Sequence, residues 1–175
     1  YLDGVDVEIN RARGLALIEE AAEEGYISAI DTLYGFYSNG TYVPLNYGKA
    51  LELAKKELEY YTELEGESGL GALASRIKIA DMYMSLGDFK SALPICERGF
   101  DISKEIIDKN TANLMIKYFS NQLSSVLCEL GDYERAIELQ EDVVKFYITV
   151  FGSEDADTFT ALNNLAMIYR SAGDV

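Results

Sequence analysis

Apolar residues recur at intervals of three and four along almost the whole chain, and no segment alternates apolar and polar positions in the manner of a strand. With capping residues added, the pattern predicts helices over residues 10–24, 27–38, 46–65, 70–86, 88–108, 110–130, 132–151 and 154–171. Only Pro44 and Pro94 interrupt it. Pro94 falls in the second turn of its helix, where it removes one hydrogen bond and predicts a kink. The stretch from Glu65 to Gly71, with Gly at 66, 69 and 71 and Ser68 between, reads as a loop or a hinge.

The helices repeat. A shift of 36 residues superposes Tyr1 on Tyr37, Gly4 on Gly40, Val7 on Val43, Asn10 on Asn46, Leu15 on Leu51 and Leu17 on Leu53, which marks a duplication. Downstream, Gly-Asp pairs stand at Gly87-Asp88, Gly131-Asp132 and Gly173-Asp174. Seven residues before each Gly is a small residue, Ala80, Ser124 or Ala166, and five after the first two is Ala92 or Ala136. A Gly just past a helix closes its C-terminus with positive φ, and the Asp that follows caps the next helix. Small residues where the two helices cross let the backbones approach, and Tyr83, Phe89 and Tyr133 fill the space beside them.

The first pattern, with Gly40, Val43, Asn46, Lys49 and Ala50, resembles the Sel1-like repeat. The second resembles the tetratricopeptide repeat, in a long form similar to that of the kinesin light chain group. Gly152, Asp157, Thr158, Leu162, Asn163, Asn164, Leu165 and Ala166 look like the opening of such a repeat, although Asp155-Ala156 stands where that group usually has His-Pro. Gly99 and Val143 occupy a crossing position that is usually Ala in the family, which puts tight packing between repeats in question. The resemblances imply an all-α fold, a right-handed α-solenoid of stacked antiparallel helix pairs. Sel1-like repeats would occupy residues 1–66 and tetratricopeptide-like repeats residues 67–175.

Charge and composition narrow the function. The chain has 175 residues, 15 basic against 30 acidic side chains and a net charge of −15, which argues against nucleic acid and anionic membrane surfaces as partners. Residues 1–70 carry −9 of that charge, so a partner chosen by charge would be basic and would meet the N-terminal half. There is no His, which removes the commonest general base and metal ligand. Cys96 and Cys128 lack metal or redox spacing, read as buried free thiols, and suit a reducing compartment such as the cytoplasm. Acidic runs such as Glu19-Glu20 and Glu23-Glu24 read as solvated helix faces. Ser153 to Asp157 lacks the spacing of a calcium loop and instead supplies charge to a helix N-terminus. No catalytic residue, cofactor or metal is indicated. Tyr1 rather than Met opens the chain, which points to a piece of a longer protein.

What remains is a surface. First helices of stacked pairs line the inner side of such an array. Helical spacing from the small positions puts Tyr118, Asn121 and Ser125 there in one repeat and Asn163, Met167 and Arg170 in the next, after Ala74, Ile77 and Asp81. In related repeats Asn at these places binds a peptide backbone, a role implied for Asn121 and Asn163, whereas the basic residues that grip a C-terminal carboxylate in some tetratricopeptide proteins are absent. The expected function is a non-catalytic scaffold for a protein or peptide partner. The alternative is a sensor domain of a larger bacterial protein that responds to a signalling peptide. The last helix, carrying Leu162, Leu165 and Ile168, is expected either to self-associate or to fray.

Overall fold

The computed structural model describes residues 10–173. Tyr1, Gly4 and Val7 of the duplication, and Asp174 and Val175 of the last Gly-Asp pattern, lie outside them. The described residues form eight helices and no strand: α1 (Arg11–Glu23), α2 (Ile27–Asn39), α3 (Tyr47–Glu65), α4 (Leu70–Ser85), α5 (Phe89–Glu105), α6 (Lys109–Glu129), α7 (Tyr133–Phe151) and α8 (Ala156–Gly173). Packing divides the chain into two units, the first ending at Gly87 and the second beginning at Asp88. Within each, every helix packs on its neighbour in sequence, as short connections require.

The caps explain these boundaries. Asn10 accepts from the Arg13 amide at 2.9 Å and Asn46 accepts from the Lys49 amide at 3.0 Å, so the residues superposed by the 36-residue shift do the same work at the starts of α1 and α3. Asp88 and Asp132 cap α5 and α7 by accepting from Ser91 and Arg135. Gly87 (φ 73°) and Gly131 (φ 77°) provide the left-handed step between helices. After α6 the turn is fully paired, with Gly131 N donating to the Cys128 carbonyl and Asp132 N to that of Leu127. The Pro94 helix runs on from Phe89 to Glu105.

In the first unit, Ala22, Ala29, Ile30 and Leu33 form a core with Leu15, Ile18, Phe36 and Leu53 around it. A charged cluster joins α2, α3 and α4. Lys78 Nζ lies 2.7 Å from Glu57, 2.5 Å from Asp31 and 4.6 Å from the centre of the Tyr34 ring. Glu57 is 1% exposed. Burial raises its pKa above the ordinary carboxylate range, outweighing the opposing pull of Lys78.

In the second unit, Val143, Val144, Tyr147 and Ala161 pack with Phe100, Leu139, Phe146 and Leu165. The crossing positions Ala92 and Ala136 are fully buried and Ser124 is nearly so, as the spacing requires. Gly99 does not loosen its crossing: a Cβ there would overlap the ring of Phe119, itself fully buried. The missing methyl is the space that the ring occupies. Gly99→Ala should therefore destabilise the chain by about 1–2 kcal/mol in urea unfolding, overpacking outweighing a helix-propensity gain of about 1 kcal/mol. In a Phe119→Leu background the same change should cost about 1 kcal/mol less. Additive effects would show that the ring does not set the requirement.

Candidate functional site

In the second unit a valley lies between α6 and α8. Its wider part, about 470 Å³, is lined by Asn121, Ser124, Ser125 and Cys128 from α6 and by Thr160, Asn164, Met167, Ile168 and Ser171 from α8. Towards the N-terminal ends of the same two helices lies a second pocket of 220 Å³. It is lined by Asn110, Asn113, Leu114 and Lys117 of α6, Tyr147 and Phe151 of α7, and Asp157 of α8. The α6 members of both pockets follow one another at steps of three and four and so form a single stripe. From Asn110 to Cys128 that stripe is about 27 Å long.

Two side-chain rungs cross the valley, four residues apart on α6 and seven apart on α8. Lys117 Nζ meets Asp157 Oδ1 at 2.5 Å, and Asn164 Nδ2 donates to Asn121 Oδ1 at 3.0 Å. Beneath them is Gln140 of α7, fully buried. Its Oε1 accepts from Ser124 Oγ of α6 at 3.1 Å, and its Nε2 donates to the Ala161 carbonyl of α8 at 3.1 Å. One amide thus ties three helices, its oxygen and its nitrogen each holding one partner. Thr158 adds a staple at the turn, donating to the Gly152 carbonyl at 2.8 Å.

The structure brings Asn121, Ser125 and Met167 together in the valley. Tyr118 is half exposed on α6, one turn before Asn121. Asn163 and Arg170 do not line the valley; Asn163 donates along its own helix to the Met167 sulfur at 3.8 Å. The residue that faces Asn121 is Asn164, a position quoted in the repeat opening but not assigned to the groove. Gln140 also escaped the sequence reading, although Ala136, Gln140, Val143 and Tyr147 form one buried stripe of α7 and a Gln on such a stripe is a signal.

Neither cysteine is in a disulfide; Cys96 is buried and Cys128 lies half-buried in the valley wall, its thiol pKa raised by burial and then by Glu129. Among the described residues no group of His, Cys, Asp or Glu has the arrangement of a metal site, and no helix is long and apolar enough to cross a membrane. On α8, Ala166 is exposed where its counterparts Ala80 and Ser124 are buried, and Phe159, Leu162 and Tyr169 are exposed beside it.

Serial helix pairs closed by Gly-Asp turns define a helical-repeat protein. Residues 72–110 and 110–175 each match the tetratricopeptide repeat family, so over this stretch, more than half its length, the chain belongs to that family. Such repeats are generally scaffolds for protein–protein interaction. The segment resembling Sel1-like repeats precedes the matched region. Two crystal structures of nearly identical TPR-like repeats from Podosopora anserina, of the kinesin light chain type, share the fold. They have TM-scores of 0.74 and 0.73 at 19% identity, covering 94% of this chain and 79% and 80% of theirs. No curated protein sequence matches.

Replacing Gln140 by Ala removes two buried hydrogen bonds, strands the Ser124 hydroxyl and opens a cavity. The expected loss is about 3 kcal/mol in urea unfolding. A loss under about 1 kcal/mol would mean that the amide does not hold the three helices together.

Proposed function

We propose that the valley between α6 and α8 binds an extended segment of a partner protein, without catalysis. The observation that carries this reading is the Asn rung. With Asn164 Nδ2 spent on Asn121 Oδ1, the pair keeps Asn121 Nδ2 as a donor and Asn164 Oδ1 as an acceptor. These are the complements of a peptide C=O and N–H. A valley of about 27 Å accommodates about eight extended residues. Ser125 and Met167 supply polar and apolar contacts along it, and Tyr118 extends the α6 face.

Asn163 and Arg170 belong to this proposal as flanking contacts on the exposed side of α8. The equivalent caps of Asn10 and Asn46 support reading residues 1–66 as Sel1-like units, whose negative charge favours basic flanks on the partner.

A random peptide library selected on the chain tests the reading. Selected peptides should shift the amides of α6 and α8, and Asn164→Ala should weaken them about tenfold, the loss of one well-placed hydrogen bond. Asn163→Ala should weaken them less. Peptides with basic flanks should lose affinity as salt is raised. Shifts confined to α5 and α7, or indifference to Asn164→Ala, would remove the valley assignment.

Self-association through α8 is a second part of the proposal, supported by the exposure of Phe159, Leu162 and Tyr169. Sedimentation equilibrium over a concentration series should show a dimer; a monomer throughout ends it.

A further inference from the structure

A pocket of 300 Å³ in the first unit takes no part in the valley reading. It lies between α1 and α3, each of which packs on α2. Glu19 and Glu23 stand on the α1 side, and Lys49, Glu52 and Lys56 on the α3 side. Steps of three and four put each set on one face of its helix. The base between them is apolar: Ala22 and Leu33 belong to the buried core of this unit, and Leu53 packs against it partly buried.

The charges of the two sides do not meet. Glu19 and Glu23 are like charges one turn apart, an unfavourable pair, and among the described residues neither side chain has an ion pair or a hydrogen-bonded partner. Lys56 has none either. Lys49 is held in place, its Nζ donating to the Tyr37 hydroxyl at 3.3 Å and lying 4.8 Å from the centre of that ring. A phenol is uncharged at neutral pH, so this contact orients the ammonium without cancelling its charge. Glu19 and Glu23 therefore give one side −2, while Lys49 and Lys56 with Glu52 give the other +1. An ion pair needs its N and O within about 4 Å. Sides that stand further apart cannot neutralise each other directly, but a ligand that bears both charges links them.

The same layout decides what fits. A simple cation entering meets two ammonium groups, and a simple anion meets three carboxylates. A zwitterion turns each charge to its complement. The volume is at the lower end of small-molecule sites. We infer that this pocket binds a free α-amino acid with an aliphatic side chain. Its ammonium faces Glu19 and Glu23, its carboxylate faces Lys49 and Lys56, and its side chain covers Ala22, Leu33 and Leu53. The site lies wholly within the first unit and does not depend on the valley between α6 and α8.

The test is NMR titration of the full 175-residue chain with three probes. These are L-leucine, isocaproate, which lacks the ammonium, and isoamylamine, which lacks the carboxylate. Leucine should shift amides near residues 19–23 and 49–56 saturably and bind about fivefold more tightly than either of the others. Glu23→Gln should weaken leucine and isoamylamine about threefold and leave isocaproate level or tighter. Lys56→Gln should weaken leucine and isocaproate about threefold and leave isoamylamine level or tighter. Both side chains are exposed, so the thermal midpoints should not move. No saturable shift, a singly charged probe that binds as tightly as leucine, or indifference of leucine binding to Glu23→Gln or to Lys56→Gln would overturn the assignment. Tighter binding of N-acetyl-Lys-Leu-Glu amide, whose two charges sit on side chains, would overturn it too, since the ligand would then be a partner segment.

Discussion

The arrangement of the second unit turns on one buried amide. Gln140 reaches α6 through a side chain and α8 through a backbone carbonyl, both at 3.1 Å. Apolar contacts reward burial but are tolerant of sliding, since one hydrocarbon surface is much like another. A buried amide is not tolerant, because a shift of either neighbour leaves a polar group unpaired in a dry interior. Gln140 therefore sets the register of α6 against α8. That register allows Lys117 to meet Asp157 and Asn121 to meet Asn164. The valley and its rungs are consequences of this clamp.

The first unit meets the same need with charge. Lys78 joins Asp31 of α2 and Glu57 of α3 while sitting on α4. The cluster is partly open: the Lys78 side chain is 25% exposed and that of Asp31 63%. Solvent screens the Asp31 contact more than the Glu57 contact, so most of the directional constraint lies between α3 and α4. Glu57 keeps one oxygen, Oε1, without a partner, and burial raises its pKa even beside a cation. In the folded chain Glu57 thus holds a proton more readily than in the unfolded one, and its contribution favours folding below its ordinary pKa near 4.5 and fades as pH rises through the raised value. The neutral clamp of the second unit has no such dependence.

Helices, turns and repeat character were legible because each is written locally. A Gly with φ of 73° or 77° followed by a capping Asp needs only two adjacent residues to be recognised, and the Asn caps at 10 and 46 need only a spacing. The observed helices begin and end within a few residues of the predicted ones. The valley was half legible for a geometric reason. Residues 121 and 163 are equivalent in their repeats, and equivalent residues on stacked helices point the same way rather than at each other. The residue that faces back is rotated from its equivalent, and one position along a helix is a turn of about 100°. Asn164 therefore meets Asn121, and Asn163 faces out. Gly99 failed as a sequence signal for a related reason: its partner, Phe119, is on another helix, and no local rule connects a missing methyl with a distant ring.

The rungs also determine what kind of recognition the valley can support. Lys117 is neutralised by Asp157, and each Asn has already satisfied half of the other's amide. Little net charge is left on this face, although the chain as a whole carries −15. On the proposed reading, long-range attraction for a basic partner would come chiefly from residues 1–70, where −9 of that charge resides, and would act on the rate of encounter. On the same reading, short-range discrimination would fall to neutral hydrogen bonding and shape in the second unit. The packing allows that separation: the helices that shape the valley are held by a neutral amide, so its face needs no net charge to keep its walls together.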